Sequence, residues 1–195
     1  MITAYAWPPR TSDRFALADA YVNLLDWPLY IGSERVLLEA AEASFDHSPH
    51  TRLTAACSSF DGVSVPRAAA MDALIRLERN HGDGGTPPVP CVLFGDRGTF
   101  LAAAGTAERL SDLAGVEVVS GPEAHIVLPP TSGAHWDTPP WSPVEREPLA
   151  LPGAEVLRPP LRDGMRLWAG RQPSSDARLD AEGPGKPWRL PTRSP

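Results

Sequence analysis

Asp61 and His125 are the residues of this chain best suited to hold a divalent metal ion or a triphosphate. Asp61 lies in the segment Cys57–Pro66, which is predicted to be a strand that leads directly into a helix. His125 begins a later apolar segment, His125–Leu128, that is also predicted to be a strand. Carboxylates are the usual ligands of Mg²⁺ and Mn²⁺, and imidazole binds several other divalent ions. If the two strands are neighbours, the two side chains form a small polar site on the sheet.

The number of carboxylates limits the chemistry that such a site can perform. A pair of metal ions in nucleotidyl transfer is normally held by two or more acidic side chains, because they must offset the charge of a triphosphate. Here the residue two positions after Asp61 is Val63. Asp61 is therefore a weak metal ligand, with Mg²⁺ or Mn²⁺ as the expected ion if the chain is active. The alternative is that Asp61-Gly62 forms a turn or bulge and that His125 is a half-buried sheet residue.

A second group of polar residues follows the strand His125–Leu128. The loop from Pro129 to Trp141 is rich in proline and contains hydroxyl, imidazole and indole groups. An indole can stack on a base, and hydroxyl groups can donate hydrogen bonds to phosphate. The predicted ligand-binding residues are Thr131, Ser132, His135 and Trp136. The alternative is a rigid loop whose tryptophans cover the edge of the sheet.

Several other kinds of site are disfavoured by the sequence. His47 and His50 are spaced for zinc binding on a helix, but Pro49 between them breaks that geometry and predicts a solvated loop. The chain contains neither a Gly-x-Ser-x-Gly segment nor a glycine-rich phosphate-binding loop. The only lysine is Lys186, near the C-terminus, which disfavours any mechanism that needs a lysine in the core.

Charge is distributed unevenly along the chain, whose net charge is −6. Residues 1–157 contain 10 basic and 20 acidic residues, whereas residues 158–195 contain eight basic and four acidic residues. Affinity for nucleic acids comes largely from Lys and Arg, so the acidic part disfavours tight DNA binding. The basic C-terminal region allows a weak contact with nucleic acid, and a solvated tail is the alternative.

The cysteines and the apolar segments indicate the compartment. Cys57 and Cys91 each lie in an apolar stretch, which favours buried thiols in a reducing environment over a disulfide. The first residues, Met1–Ala4, lack the basic and apolar pattern of a signal peptide. No segment approaches the roughly 20 apolar residues that span a bilayer. We therefore expect a cytoplasmic protein without a membrane contact.

The hydrophobic pattern predicts an α+β fold with a mixed, mostly antiparallel sheet packed by helices. The second predicted helix is capped by Ser33, and a third, beginning near Pro66, should pack on the sheet through Met71, Leu74, Ile75 and Leu77. Twenty-three prolines among 195 residues predict long loops. The predicted strands are Pro28–Ile31, Leu53–Cys57, Asp61–Val65, Val89–Phe94, Thr99–Ala103, Val116–Val119 and His125–Leu128.

The same pattern predicts one folded domain with two extensions. Residues 1–11 form an N-terminal extension, residues 12–157 form the α+β domain, and residues 158–195 form a tail rich in Pro, Gly and Arg. A segment of this composition buries too little apolar surface to offset the entropy of ordering. The tail is therefore predicted to be disordered, above all from Arg171 onward.

The order of several short motifs resembles a known family. An alanine-rich first helix is followed by Asp26-Trp27-Pro28-Leu29-Tyr30-Ile31, by Cys57-Ser58-Ser59-Phe60-Asp61, and by Val63-Ser64-Val65-Pro66 with its helix. Pro88–Phe94, Gly98–Leu101, Gly115–Val118 and His125–Pro130 complete the series. Over residues 12–145 this order is similar to the N-terminal primase-polymerase domain of bifunctional replication proteins, in the short, divergent form common in actinobacteria.

The resemblance implies a fold and a test of activity. Active members carry Asp-x-Asp on a strand, a nucleotide-binding histidine and a third carboxylate, whereas this chain has Asp61 followed by Val63, and His125 need not be the family histidine. The resemblance therefore favours a degenerate, non-catalytic domain that binds a nucleotide or a protein. The alternatives are an active metal-dependent primase or polymerase with an unusual metal site, and an unrelated actinobacterial α+β protein that binds a partner.

Overall fold

The structure, a computed structural model, describes residues 7–10, 13–48, 51–82 and 87–171. Its strands are β1 Leu29–Ile31, β2 Glu34–Val36, β3 Leu53–Pro66, β4 Cys91–Phe94, β5 Arg97–Ala103, β6 Glu117–Leu128 and β7 Ala134–Thr138. Its α-helices are α1 Arg14–Asp19, α2 Leu38–His47, α3 Arg67–Gly82 and α4 Arg158–Arg171, with a π-helical turn at Ala20–Leu24 and 3₁₀ helices at Ala107–Leu110 and Ala154–Leu157. The predicted α+β class is confirmed, and every strand pair in the described residues is antiparallel.

Strand β3 is the centre of a curled sheet. The strand order is β2-β1-β3-β5-β4-β7, and β6 pairs along the other side of β3. The two strands predicted at Leu53–Cys57 and Asp61–Val65 are therefore one continuous strand, and β6 likewise joins the two predicted at Val116–Val119 and His125–Leu128. The pairing of β3 with β6 shifts register between Cys57 and Gly62, which is the irregularity expected of a β-bulge.

Helices cover both faces of this sheet. Successive side chains of a strand point to opposite faces, and the β5 neighbours Phe100 and Leu101 belong to two different buried clusters. Phe100 packs in a cluster with α3 and α4, whereas Leu101 packs in one with α1 and α2. Both residues are fully buried, so β5 lies between two helical layers.

The buried face of α3 is made mainly of alanine. Leu74 and Leu77 lie in the core as predicted. The prediction is wrong for Met71 and Ile75, whose side chains are 40% and 45% exposed. The helical spacing is right, but the core contact is centred on three small residues that allow a close approach to the sheet and to α4, namely Ala69, Ala70 and Ala73.

The folded part of the chain extends past the boundary predicted at residue 157. Arg158–Arg171 is α4, which packs along α3 and buries Leu161 and Met165, so a tail from residue 158 is wrong for this span. Pro159 and Pro160 lie in the first helical turn, where a missing N–H group leaves no hydrogen bond unmade. The predicted disorder of residues 172–195 falls outside the described residues.

Two strands were not predicted. β2 pairs with β1 as a short hairpin, so Ser33 lies in a turn and does not cap a helix. β7 pairs with β4 within the segment predicted as a proline-rich loop. Cys57 and Cys91 are free and buried, as expected. In the part of the chain that the structure describes, no helix has the length and apolar character needed to cross a membrane.

Candidate functional site

Asp61 serves as a cap for a 3₁₀ helix. Its side chain is buried, and Oδ2 accepts hydrogen bonds from the backbone N–H groups of Thr106 and Ala107, at 2.8 and 2.9 Å. These two N–H groups lie at the start of the helix Ala107–Leu110, where no preceding helical turn provides a carbonyl acceptor for them. Thr106 extends the network, because its hydroxyl donates to the Ala103 carbonyl and accepts from Ala154 N–H. The carboxylate thus links β3 to both 3₁₀ helices.

His125 lies on the strand next to Asp61 but has different neighbours. It pairs with Ala56 across the strands, and its ring stacks on Tyr30 with a centroid distance of 4.5 Å. His125 lines a cleft of about 150 Å³ on the sheet together with Ser64, Thr99 and Arg97. Asp61 does not line this cleft. The sequence correctly placed both residues on strands of one sheet, and the structure gives each side chain its own set of contacts.

No metal centre is assembled from these residues. Across the four described ranges, no three His, Cys, Asp or Glu side chains are grouped so that they could hold an ion. The Asp61 carboxylate does affect the titration of one thiol, that of Cys57. Burial, followed by the Asp61 carboxylate, raises the pKa of the Cys57 thiol to about 12, so this thiol is protonated at neutral pH.

The four residues predicted to bind a ligand after β6 lie in different environments. The hydroxyl of buried Thr131 accepts from Leu53 N–H at 2.8 Å and donates to the Leu53 carbonyl at 3.2 Å, so it closes the start of β3. Ser132 is exposed in the turn before β7. His135 on β7 contacts the Arg67 guanidinium through Nε2 at 3.4 Å. The structure does not bring the four together around one cleft.

Trp136 is part of a cluster of aromatic side chains. Its indole N–H donates to the hydroxyl of Tyr21 at 2.8 Å, and its ring lies within 6.5 Å of the rings of Tyr21, Trp27 and Trp141. The Tyr21 side chain is buried, and burial raises its pKa well above the usual range. Trp136 therefore stabilises the packing of the first helix against the sheet, as expected for a tryptophan that covers a sheet.

A larger open groove lies elsewhere in the described residues, between the start of α3, the β4–β5 turn and α4. It has a volume of about 740 Å³ and contains two guanidinium groups beside an indole and a thioether. The groove is lined by Pro66, Arg67, Ala68, Met71, Asp96, Arg97 and Trp168. We call it the Trp168 groove. Its mixture of apolar walls and positive charge is typical of a binding site for an anionic, partly apolar ligand.

Backbone hydrogen bonds fix the position of its two arginines. The N–H group of Arg67 donates to the Asp96 carbonyl at 2.6 Å, and its guanidinium donates to the Gly95 carbonyl at 3.2 Å. Arg97 donates to the Ser64 hydroxyl and carbonyl, each at 3.0 Å, and forms an ion pair with Glu117 at 3.1 Å. The β4–β5 turn therefore holds the Arg67 guanidinium, and residues of β3 and β6 hold that of Arg97.

A second, more apolar groove lies beside Trp168. It has a volume of about 350 Å³. Its walls are Leu113, Ala114, Gly115, Arg162, Met165, Arg166, Trp168 and Ala169. Trp168 lines both grooves, so a ligand that crosses Trp168 contacts both. We call this the Met165 groove.

Sequence reasoning missed both grooves because it placed α4 in a tail. Leu161, Met165 and Trp168 recur at i, i+4 and i+7, a spacing that predicts one apolar helix face. Two prolines and a glycine in the same segment concealed this signal. The pairing of the β4–β5 turn with the start of α3 is a long-range contact that the sequence does not encode locally.

Comparisons with known proteins add no assignment, since no family model, curated protein or solved structure matches the chain.

Proposed function

We propose that this chain is a non-catalytic binding module, with a primase-polymerase-like sheet as scaffold and the Trp168 groove as its main binding surface. The observation that carries the proposal is the lining of that groove. Arg67, Arg97, Met71 and Trp168 converge on one open space of about 740 Å³, on a face built from two helices and a hairpin turn.

The environment of Asp61 supports a role without catalysis. A metal ligand must present its oxygens to an ion and its water, but this carboxylate is buried and bonded to two backbone N–H groups. If Asp61 caps a helix and binds no metal ion, β3 and the helix α3 that follows it remain intact. The divergent primase-polymerase resemblance is compatible with such a scaffold, in which Val63 occupies the place of a second acid.

A protein partner suits the surface around the groove. Met71 and Ile75 on α3 and Leu167 on α4 are 40%, 45% and 40% exposed. Large apolar side chains grouped at the surface are typical of protein interaction sites. Methionine and tryptophan are also over-represented at such sites because they supply adaptable or extensive contact area.

A nucleotide is the second candidate ligand, favoured by the pairing of an indole with two guanidinium groups in one groove. An indole can stack on a base while arginines bind phosphate. Titration with ATP distinguishes a nucleotide ligand from a protein partner. A nucleotide present at about 100 times its Kd should stabilise the fold by about 2.7 kcal/mol.

Photo-crosslinking inside the cells that express the chain tests the location of the surface. A photoreactive amino acid at position 167 should yield covalent adducts, whereas the same residue at position 37 should yield none. Leu37 is a matched control because it is also a leucine and is 72% exposed, but it lies beside β2. Adducts at 37 and none at 167 would locate binding elsewhere and reject the proposal.

A separate experiment tests the proposal that the chain is non-catalytic. Primer extension with Mg²⁺ or Mn²⁺ should give no template-dependent incorporation. Incorporation that is lost in Asp61→Asn would instead show that the chain is an active nucleotidyltransferase.

A further inference from the structure

We propose that the occupant of this face is an acidic amphipathic helix of a partner protein, which crosses Trp168 and places apolar side chains in the Trp168 and Met165 grooves. This inference rests on the proposed function and specifies its ligand. It is carried by three features of the described residues: an excess of arginine, an exposed apolar strip and a pair of grooves that share one indole.

The two helices that form the face are basic in an acidic protein. Together, α3 and α4 contain seven arginines against three carboxylates, whereas the whole chain has a net charge of −6. Within the described residues, Arg67, Arg162 and Arg166 have no carboxylate within ion-pair distance. All three line one of the two grooves. A partner with carboxylates at these positions supplies the missing charges and associates faster through electrostatic attraction.

The exposed apolar side chains of this face, its apolar strip, come from both helices. Asp163 and Arg171 of α4 form ion pairs with Arg76 and Asp72 of α3, so the helices run antiparallel. Leu167 lies midway between Asp163 and Arg171 at i+4 spacing, on the same side of α4. It therefore lies opposite the turn of α3 between Asp72 and Arg76, which carries exposed Ile75.

The shape of the face favours a helix over an extended strand or a nucleic acid. Strand addition needs an open sheet edge, but this face is formed by helices and the β4–β5 turn. A helix with apolar residues at i, i+3, i+4 and i+7 presents them on one side, and that side can occupy two neighbouring grooves. A nucleic-acid backbone would not contact the apolar strip, and the excess of acidic residues in residues 1–157 repels its phosphates.

Fluorescence polarisation of the full chain with a labelled model peptide tests the inference. The peptide has about 18 residues, with leucines at i, i+3, i+4 and i+7 and glutamates on the opposite side. We expect saturable binding that weakens as salt is raised, because the charged groups are exposed. A peptide of equal composition with its leucines spread around the helix, and one with lysine in place of glutamate, should each bind at least about tenfold more weakly.

Paired surface variants locate the contact without disturbing the core. Arg166→Glu should weaken binding at least about fivefold, whereas Arg35→Glu on exposed β2, with the same change in net charge, should not. Leu167→Ser should also weaken binding, with Leu37→Ser as its control. Circular dichroism of each variant establishes that the fold is retained.

Three results would overturn the inference. They are absence of peptide binding, binding that is unchanged in both Arg166→Glu and Leu167→Ser, and preferential binding of a single-stranded oligonucleotide to the same residues. Each leaves the proposed function standing if adducts still form at position 167. Loss of those adducts, by contrast, removes the proposed function itself.

Discussion

At the scale of single residues, Asp61 shows how a strand carboxylate can serve the fold. Its side chain is buried, yet both backbone partners are supplied by the start of the helix Ala107–Leu110. Three segments that are distant in sequence meet through this network, because Thr106 in turn binds Ala154. The sequence could place Asp61 at the surface of a sheet, but it could not show that a loop 45 residues later bonds to it.

Removing this carboxylate should destabilise the protein. Asp61→Ala leaves the Ala107 N–H without an acceptor and the Thr106 N–H with only its longer bond to the Ala103 carbonyl, at 3.2 Å. A buried N–H group that stays unsatisfied costs about 1–3 kcal/mol. Asp61→Asn should cost less, because its amide oxygen can still accept one bond. Urea denaturation gives the free energy of unfolding for both variants. Equal stability of the wild type and Asp61→Ala would show that the cap contributes nothing.

The Cys57 thiol predicts how stability changes in alkali. Its pKa is about 12 in the folded protein, above the usual 9.0, chiefly because it is buried. Below pH 9 the thiol is protonated in both states, so its contribution is fully present. Between about pH 9 and 12 the unfolded chain releases this proton and the folded chain keeps it, so the free energy of unfolding falls.

Denaturation at a series of alkaline pH values tests this sign. Cys57→Ala should show a smaller fall than the wild type, while buried Tyr21 and Cys91, whose pKa values are also raised, maintain part of it. Stability that rises with pH in this window would contradict the assignment.

At the scale of elements, α4 determines how the binding face is built. Its middle approaches α3 closely, since a Cβ atom at Gly164 would lie 2.6 Å from the Ala69 carbonyl oxygen. Only a residue without a side chain permits this contact. The close approach places Trp168 beside Met71 in one groove.

A pair of glycine substitutions in α4 separates this contact from helix propensity. Gly164→Ala should destabilise the protein by about 1–3 kcal/mol, as overpacking does. Gly170→Ala, with nothing within 4 Å of the added Cβ, should be neutral or should stabilise by up to about 1 kcal/mol. Thermal and urea denaturation measure both. A stabilising Gly164→Ala would mean that α4 does not pack this closely on α3.

Local patterns predict elements better than they predict faces and sites. The period-2 and helical signals located most strands and placed Leu74 and Leu77 in the core. They failed for Met71 and Ile75, because the alanines of α3 form the closest contact. They do not show the hydrogen-bond partners of Thr131 and Trp136, because these partners, Leu53 and Tyr21, are 78 and 115 residues away.

At the scale of the whole molecule, the residues that hold the fold together and those of the proposed binding face lie on separate surfaces. The polar residues that the sequence singled out on β3 and near β7 hold the sheet and its aromatic cluster together. In the described residues, the α3–α4 face carries Arg67, Arg162 and Arg166, which form no ion pair, together with the exposed side chains of Met71, Ile75 and Leu167. We propose that the β3 carboxylate serves the fold and that binding takes place on the helical face.

A titration with paramagnetic Mn²⁺, followed by two-dimensional ¹H–¹⁵N NMR, tests this claim most directly. An ion held by Asp61 would broaden the amide signals of Thr106 and Ala107, which donate to that carboxylate. We predict that these two signals broaden no more than other buried amides, in the wild type as in Asp61→Asn. Selective broadening of both at low Mn²⁺, abolished by Asp61→Asn, would contradict the account and establish a metal site on β3.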